Sequence, residues 1–269
     1  MAERKSDRVS AERGKDPSKR PPAKSARSKT LTRLTTPYDA LTSLVLTLPV
    51  FLVYHLGIVV MDLRNGADFV TGNLIRLLSL SVWGYLGLTL AVAGGLAGAV
   101  YFLRKKNHLH PRAIGAVIGE SVVWAALMWL LVGWATAHIV PHAWLLPEDI
   151  APLQIGGRTM GPLERLVMAA GAGFYEELVF RVGLFGGLSW LFVWRGVPKL
   201  RSDLAAALIS CVVFSAIHYV GPLGDDFALG SFVFRALSGL YLCALFRFRG
   251  FAVAVYAHAL YDVAVFFLV

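Results

Sequence analysis

The stretch LERLVMAAGAGFYEELVFRVGLFGGLSWLFVW, residues 163–194, decides how this chain is read. Beyond its first few residues it is a run of apolar and small side chains long enough to cross a hydrocarbon core of about 30 Å. Its middle, GFYEELVFR at 173–181, nevertheless places Glu176, Glu177 and Arg181 where a lipid-embedded helix ordinarily carries no charge. An ionisable group at the centre of a bilayer costs about 2.5–3.5 kcal/mol on insertion scales, so each of the three needs a partner or a task.

Helical spacing separates them. Glu177 and Arg181 are four residues apart and share a face, with the acid on the favourable, N-terminal side. Such a pair neutralises itself, and the guanidinium fork can receive a carboxylate in bidentate fashion. On an α-helix Glu176 is turned by about 100° from Glu177 and faces away from Arg181. Spacing therefore gives Glu177 and Arg181 a structural role and leaves Glu176 to face something else. The alternative is a single charge cluster that holds two helices together.

The rest of the chain is of the same kind. Of its 269 residues 57% are hydrophobic and only 16% charged, against about 25% charged in a soluble domain. Seven apolar spans are expected, at 40–61, 79–103, 113–137, 163–194, 203–220, 229–246 and 251–268. The fourth is over-long and can begin with an interfacial stretch at Pro162–Met168, and residues 67–80 can add an eighth, amphipathic element. The expected fold is thus all-α: a polytopic integral membrane bundle of about seven to eight helices around a conical or cavity-containing core. The small-residue pairs Gly94/Gly98 and Gly183/Gly187 allow close helix packing.

Charge fixes the expected orientation. Residues 1–36 hold eleven Lys/Arg and four acids, so seven of the nine excess positive charges lie in one tail. Rich in Ser, Pro, Ala and Lys, this tail is expected to be a disordered, solvated cytoplasmic segment, not a nucleic-acid binder or a cleaved signal peptide. With the tail inside, the loops at 104–112, 195–202 and 247–250 also fall inside and carry four, three and two Lys/Arg without an acid. The opposite loops hold Asp62, Asp68, Glu148, Asp149, Asp225 and Asp226 against Arg64, Arg76 and Arg158. Positive charge stays inside at every turn, as expected of a bacterial inner-membrane protein with a cytoplasmic N-terminus. Cys211 and Cys243 lie in apolar runs and read as small core fillers.

Two later spans carry polar groups at membrane depth. FSAIHYV, residues 214–220, puts Phe214 and His218 one turn apart, and HALYD, residues 258–262, does the same for His258 and Asp262. The acid can accept from the imidazole and fix its tautomer, or merely satisfy it. Glu120 and His55 are further ionisable groups within spans. Together Glu176, His218, His258 and Asp262 supply a general base for water and donors for an oxyanion, the inventory for amide hydrolysis without a Ser or Cys nucleophile. Ser215 lacks a clearly assigned base and oxyanion set and ranks below this arrangement.

The order E-E-x-x-x-R (Glu176, Glu177, Arg181), F-x-x-x-H (Phe214, His218), H-x-x-x-D (His258, Asp262) resembles the CAAX protease and bacteriocin-processing family of glutamic-type intramembrane endopeptidases. The resemblance covers roughly residues 160–269. It implies Glu176 as the base that activates water, His218 sharing that water, and His258 with Asp262 at the oxyanion. Glu177 and Arg181 would hold the motif helix, and Phe214 would pack beside the site. Where the Ras-converting branch has Asn, this chain has Asp262, and an ionised Asp only accepts. Asp262 is then protonated, or acts by orienting His258.

The expected organisation is a basic tail at 1–36, N-terminal membrane helices at 37–159 and a catalytic helical core at 160–269. No metal or other cofactor is expected, although two His with carboxylates could ligate zinc. The expected partners are the lipid bilayer and a membrane-anchored protein or peptide substrate, approached from the outer leaflet. Removal of a C-terminal sorting anchor, as in myxosortase-like branches, is one such reaction. A non-catalytic immunity or scaffold protein and a proton-coupled transporter are the rival readings.

Overall fold

The computed structural model describes residues 40–61, 68, 81–103, 112–140, 154–155, 158–221 and 224–268. The basic tail, the segment expected at 67–80 (Asp68 apart) and most of the inner loop at 104–112 lie outside the described residues.

The described chain is a helical membrane bundle. In order come α1 (Ala40–Leu46), α2 (Leu48–Met61), α3 (Val82–Leu103) and α4 (Arg112–Ile139). A two-residue antiparallel ladder follows, β1 (Gln154–Ile155) with β2 (Arg158–Thr159). Then come α5 (Pro162–Trp194), α6 (Lys199–Ile217), α7 (Leu229–Arg249) and α8 (Phe251–Leu268). Five helices among the described residues are long and apolar enough to cross a membrane, namely α5 to α8 and the Gly115–Ile139 part of α4. These agree with the last five expected spans to within a few residues.

The first expected span is not one straight helix. It breaks between α1 and α2 at Thr47, two residues before Pro49. Pro49 has no N–H for the carbonyl four residues back, and its ring crowds that carbonyl. The Thr47 hydroxyl turns back to donate to the Leu44 carbonyl at 2.7 Å.

Helix α5 is continuous but not uniform. Pro162 stands in its first turn, and the Glu164 carboxylate accepts from the Gly161 N–H at 2.7 Å, closing the helix start. From Ala172 to Gly186 the helix is π-helical, and it returns to α geometry over Gly187–Trp194. The stretch expected to hold the charges is therefore also the stretch where the helix is wound wide.

Helix α8 is the hub. It touches α1, α4, α5 and α7, and every residue from Ala252 to Ala259 is buried. A helix apolar on all faces belongs inside a bundle, and FAVAVYAHA supplies only the Tyr256 hydroxyl and the His258 imidazole as polar side-chain groups there. Gly250, with φ of 91°, turns the chain from α7 into α8 in a conformation that a side chain would oppose. By contrast, Trp83, Leu130, Trp134, Leu200 and Leu204 point outward, the apolar surface that lipid covers.

Interhelical bonds from small hydroxyls lock the core. Ser121 donates to the Val253 carbonyl at 3.3 Å, Ser210 to Phe180 at 2.8 Å and Tyr256 to Leu46 at 2.9 Å. Cys211 and Cys243 are free and buried, as expected of core fillers.

Candidate active site

The site is assembled by α5, α6 and α8, and Gly173 sets how closely two of these approach. A Cβ at Gly173 would lie 2.7 Å from the Ala259 Cβ and 2.8 Å from the Val255 carbonyl oxygen. Only glycine lets the π-helical part of α5 lie directly on α8 at this level. Glu176 and Glu177, one turn on, are thereby brought against His258.

The contact with His258 corrects the division drawn from α-helical spacing. Glu177 is not occupied by Arg181 alone: its Oε1 is 2.7 Å from His258 Nδ1, while its Oε2 is 3.2 Å from Arg181 Nε. Glu176, left by spacing to face something other than Arg181, has its Oε2 3.9 Å from Nε2 of the same imidazole. The wider π turn reduces the angle between successive residues, so that adjacent carboxylates reach one neighbour.

Both imidazoles are fixed in the same sense. His218, just past the end of α6, has Nδ1 2.7 Å from the Phe214 carbonyl oxygen. A carbonyl only accepts, so His218 donates from Nδ1 and keeps Nε2 for other chemistry. His258 donates from Nδ1 to the Glu177 carboxylate and also keeps Nε2, which faces Glu176 and Asp262 Oδ2 at 3.9 and 3.7 Å. The direct hydrogen bond that orients His258 thus comes from Glu177, and the 3.7 Å approach of Asp262 is too long to be one. His218 lies within electrostatic reach of Glu176, His258 and Arg235.

Phe214 holds these groups together. Its ring centroid is 5.0 Å from that of His218 and 6.2 Å from that of His258, and its face lies 4.4 Å from the Arg181 guanidinium carbon. Arg181 and Glu177 are both fully buried. Their contact runs through Nε and is not the expected bidentate fork. The guanidinium makes no hydrogen bond within the described residues, so the carboxylate and the ring face are its compensation.

Other polar groups stand apart from the site. Ser215 donates to the Phe232 carbonyl at 2.7 Å, which engages the proton a nucleophile would have to lose. Glu120 takes Arg249 at 2.5 and 2.7 Å and the Trp124 indole at 2.8 Å. Asp203 meets Lys199, Ser189 and Arg247, and Asp225 pairs with Arg235 at 2.5 Å. Among the described residues no three His, Cys, Asp or Glu side chains form a ligand set for a metal ion. The closeness set by Gly173 was not foreseen; the small-residue run AGAG at residues 170–173 is the signal that could have pointed to it.

Glu176, Glu177, Arg181, Phe214, His218, His258 and Asp262 lie within one matched segment. Residues 159–264 match the family model described as type II CAAX prenyl endopeptidase Rce1-like. These residues form an Rce1-like domain. The Rce1-like family is one of intramembrane proteases. No curated protein matches the chain, and neither does any solved structure.

Proposed function

We propose that this protein is a glutamic-type intramembrane endopeptidase that hydrolyses a peptide bond in membrane-anchored proteins or peptides. The observation that carries the reading is the convergence of Glu176 and Asp262 on His258 Nε2 at 3.9 and 3.7 Å, with Nδ1 already engaged by Glu177. Separations of this size suit polar groups that share an interposed water or carbonyl oxygen and do not bond directly.

In the proposed reaction Glu176 takes a proton from water as it attacks the scissile carbonyl. Nε2 of His218 accepts from the same water and aligns it. The oxygen of the tetrahedral intermediate receives a hydrogen bond from His258 Nε2–H, with the ring doubly protonated and its charge balanced by the surrounding carboxylates. Asp262, beside Nε2, holds that charged ring or, when protonated, donates to the oxyanion itself. Glu176 then returns its proton to the leaving amine. No metal enters this scheme.

The proposed substrates are proteins or peptides cut near a membrane anchor, C-terminal sorting signals among them, reached from the outer leaflet. The test uses the full chain in liposomes with two probes: an internally quenched farnesylated CAAX peptide and a single-span reporter protein tagged at both ends. Cleavage of either, abolished by Glu176→Gln and by His218→Ala, is expected. Cleavage untouched by both substitutions would overturn the reading. Preference for the reporter over the farnesylated peptide would favour sorting-type substrates.

A further inference from the structure

A second buried polar cluster joins helices outside the matched domain to α5. His55 on α2 stands between two tyrosines, with Nδ1 bonded to the Tyr85 hydroxyl of α3 and Nε2 2.7 Å from the Tyr175 hydroxyl of α5. All three residues are buried, with His55 4% exposed and the tyrosines 6% each. A neutral imidazole has one N–H and one lone pair, so it donates to one hydroxyl and accepts from the other. The result is a directional chain across three helices, Tyr85 to His55 to Tyr175. Next to it Tyr54 donates to Asp68 at 2.8 Å.

Tyr175 stands immediately before Glu176 and within the π-helical stretch. On one side this stretch is fixed by Gly173 against Ala259, and further along by Ser210 at the Phe180 carbonyl. On the side of the N-terminal helices Tyr175 gives it a polar anchor through His55. The rings packed around it, Tyr54 at 5.3 Å, Phe174 at 5.4 Å and His55 at 5.7 Å, would fill the space equally well without polar atoms. Apolar packing permits rotation and sliding. Hydrogen bonds at both ring nitrogens fix a direction, and a buried partner left unmatched is destabilising.

We infer that the Tyr85–His55–Tyr175 chain is a positioning device through which the N-terminal helices set the rotation of α5 and hence the aim of Glu176. His55 and Tyr175 are then positioning residues supplied or engaged from outside the Rce1-like motifs. The reading of their purpose rests on the proposed protease activity.

The experiment uses the full chain in lipid nanodiscs, with ¹⁵N-histidine labelling and the His258 signals assigned by a His258→Ala variant. Tyr175→Phe removes a single hydroxyl and keeps the ring; His55→Phe removes both bonds; His55→Gln retains a donor and an acceptor. In Tyr175→Phe and His55→Phe the His258 ring nitrogen signals are expected to move. Turnover of whichever probe the wild type cleaves should fall between about 10- and 100-fold, the scale of small misplacements. Its pH profile should change shape, which a smaller folded fraction cannot cause. His55→Gln should restore part of each. Unchanged His258 signals and an unchanged pH profile in folded Tyr175→Phe would overturn the inference. Should Tyr175→Phe not fold, Tyr85→Phe is read in the same way; failure of both to fold would assign the chain to folding alone and overturn it. The spectra need no substrate, so they decide this point even where Glu176→Gln shows the protease reading to be wrong.

Discussion

His258 donates from Nδ1 to Glu177 at 2.7 Å, and the other oxygen of that carboxylate is 3.2 Å from Arg181. One fully buried carboxylate therefore orients the imidazole of α8 and balances the guanidinium of its own helix. Its neighbour Glu176 is 3.9 Å from Nε2 of the same ring.

Adjacent glutamates should accordingly fail in different ways. Glu176→Gln is expected to leave thermal unfolding in detergent nearly unchanged while lowering turnover about 10²–10⁴-fold, the usual worth of a general base. Glu177→Gln strands Arg181 as an uncompensated buried charge, a loss of about 3–5 kcal/mol. Differential scanning fluorimetry beside a cleavage assay separates the two. Equal melting points for both variants would contradict the division of labour.

Gly173→Ala forces a Cβ into Ala259 and the Val255 carbonyl, each under 3 Å away. Overpacking of this kind costs about 1–3 kcal/mol. It should also part α5 from α8 and abolish activity before it abolishes folding. Gly187→Ala, on the same helix with nothing within 4 Å of the added carbon, is expected to be neutral or to gain about 0.4–1 kcal/mol. Parallel melting and activity curves for the two variants are the comparison to make.

Phe214→Leu removes the ring face over Arg181 and the edge against both histidines. Loss of a desolvated cation–π contact alone is worth about 2 kcal/mol. Phe214→Tyr should retain most of it. The same melting assay checks both, and a Leu variant as stable as wild type would remove Phe214 from the support of the site.

Activity is expected to survive dialysis against EDTA and 1,10-phenanthroline. Loss of cleavage that returns on adding zinc would place a metal at the site and replace the Glu176–His218 water by a metal-bound one.

The proposed outward opening of the site can be tested with a single thiol. Cys211 and Cys243 are buried, so a membrane-impermeant maleimide should report chiefly on a cysteine put in place of His218. His218→Cys is expected to react in intact cells. Reaction confined to inside-out vesicles would reverse the proposed orientation.

Much of this molecule was readable one helix at a time. The last five spans emerge at nearly their expected limits because length and apolar composition are local properties. The Glu177–Arg181 pair was readable because both partners lie on one helix. The kink at Pro49 was present in the residues too, but within an unbroken apolar run it was passed over. The bond from Glu177 to His258 was not readable, since its partners are 81 residues apart and meet only because Gly173 admits α8. The π winding was equally hidden: hydrophobic periodicity over one short stretch does not separate it from an α-helix.

By itself, then, the sequence determined a helical membrane protein, the helices that carry its charges and the residues Glu176, His218, His258 and Asp262 as one candidate set. Apolar length, charge bias and motif spacing are sufficient for that, because each is written along the chain. Only the tertiary structure decided which carboxylate holds His258, that Glu176 and Glu177 face the same ring, and that His55 reaches Tyr175 from outside the motif helices. Those outcomes depend on helix rotation and on interhelical distances of a few ångström, and packing sets both.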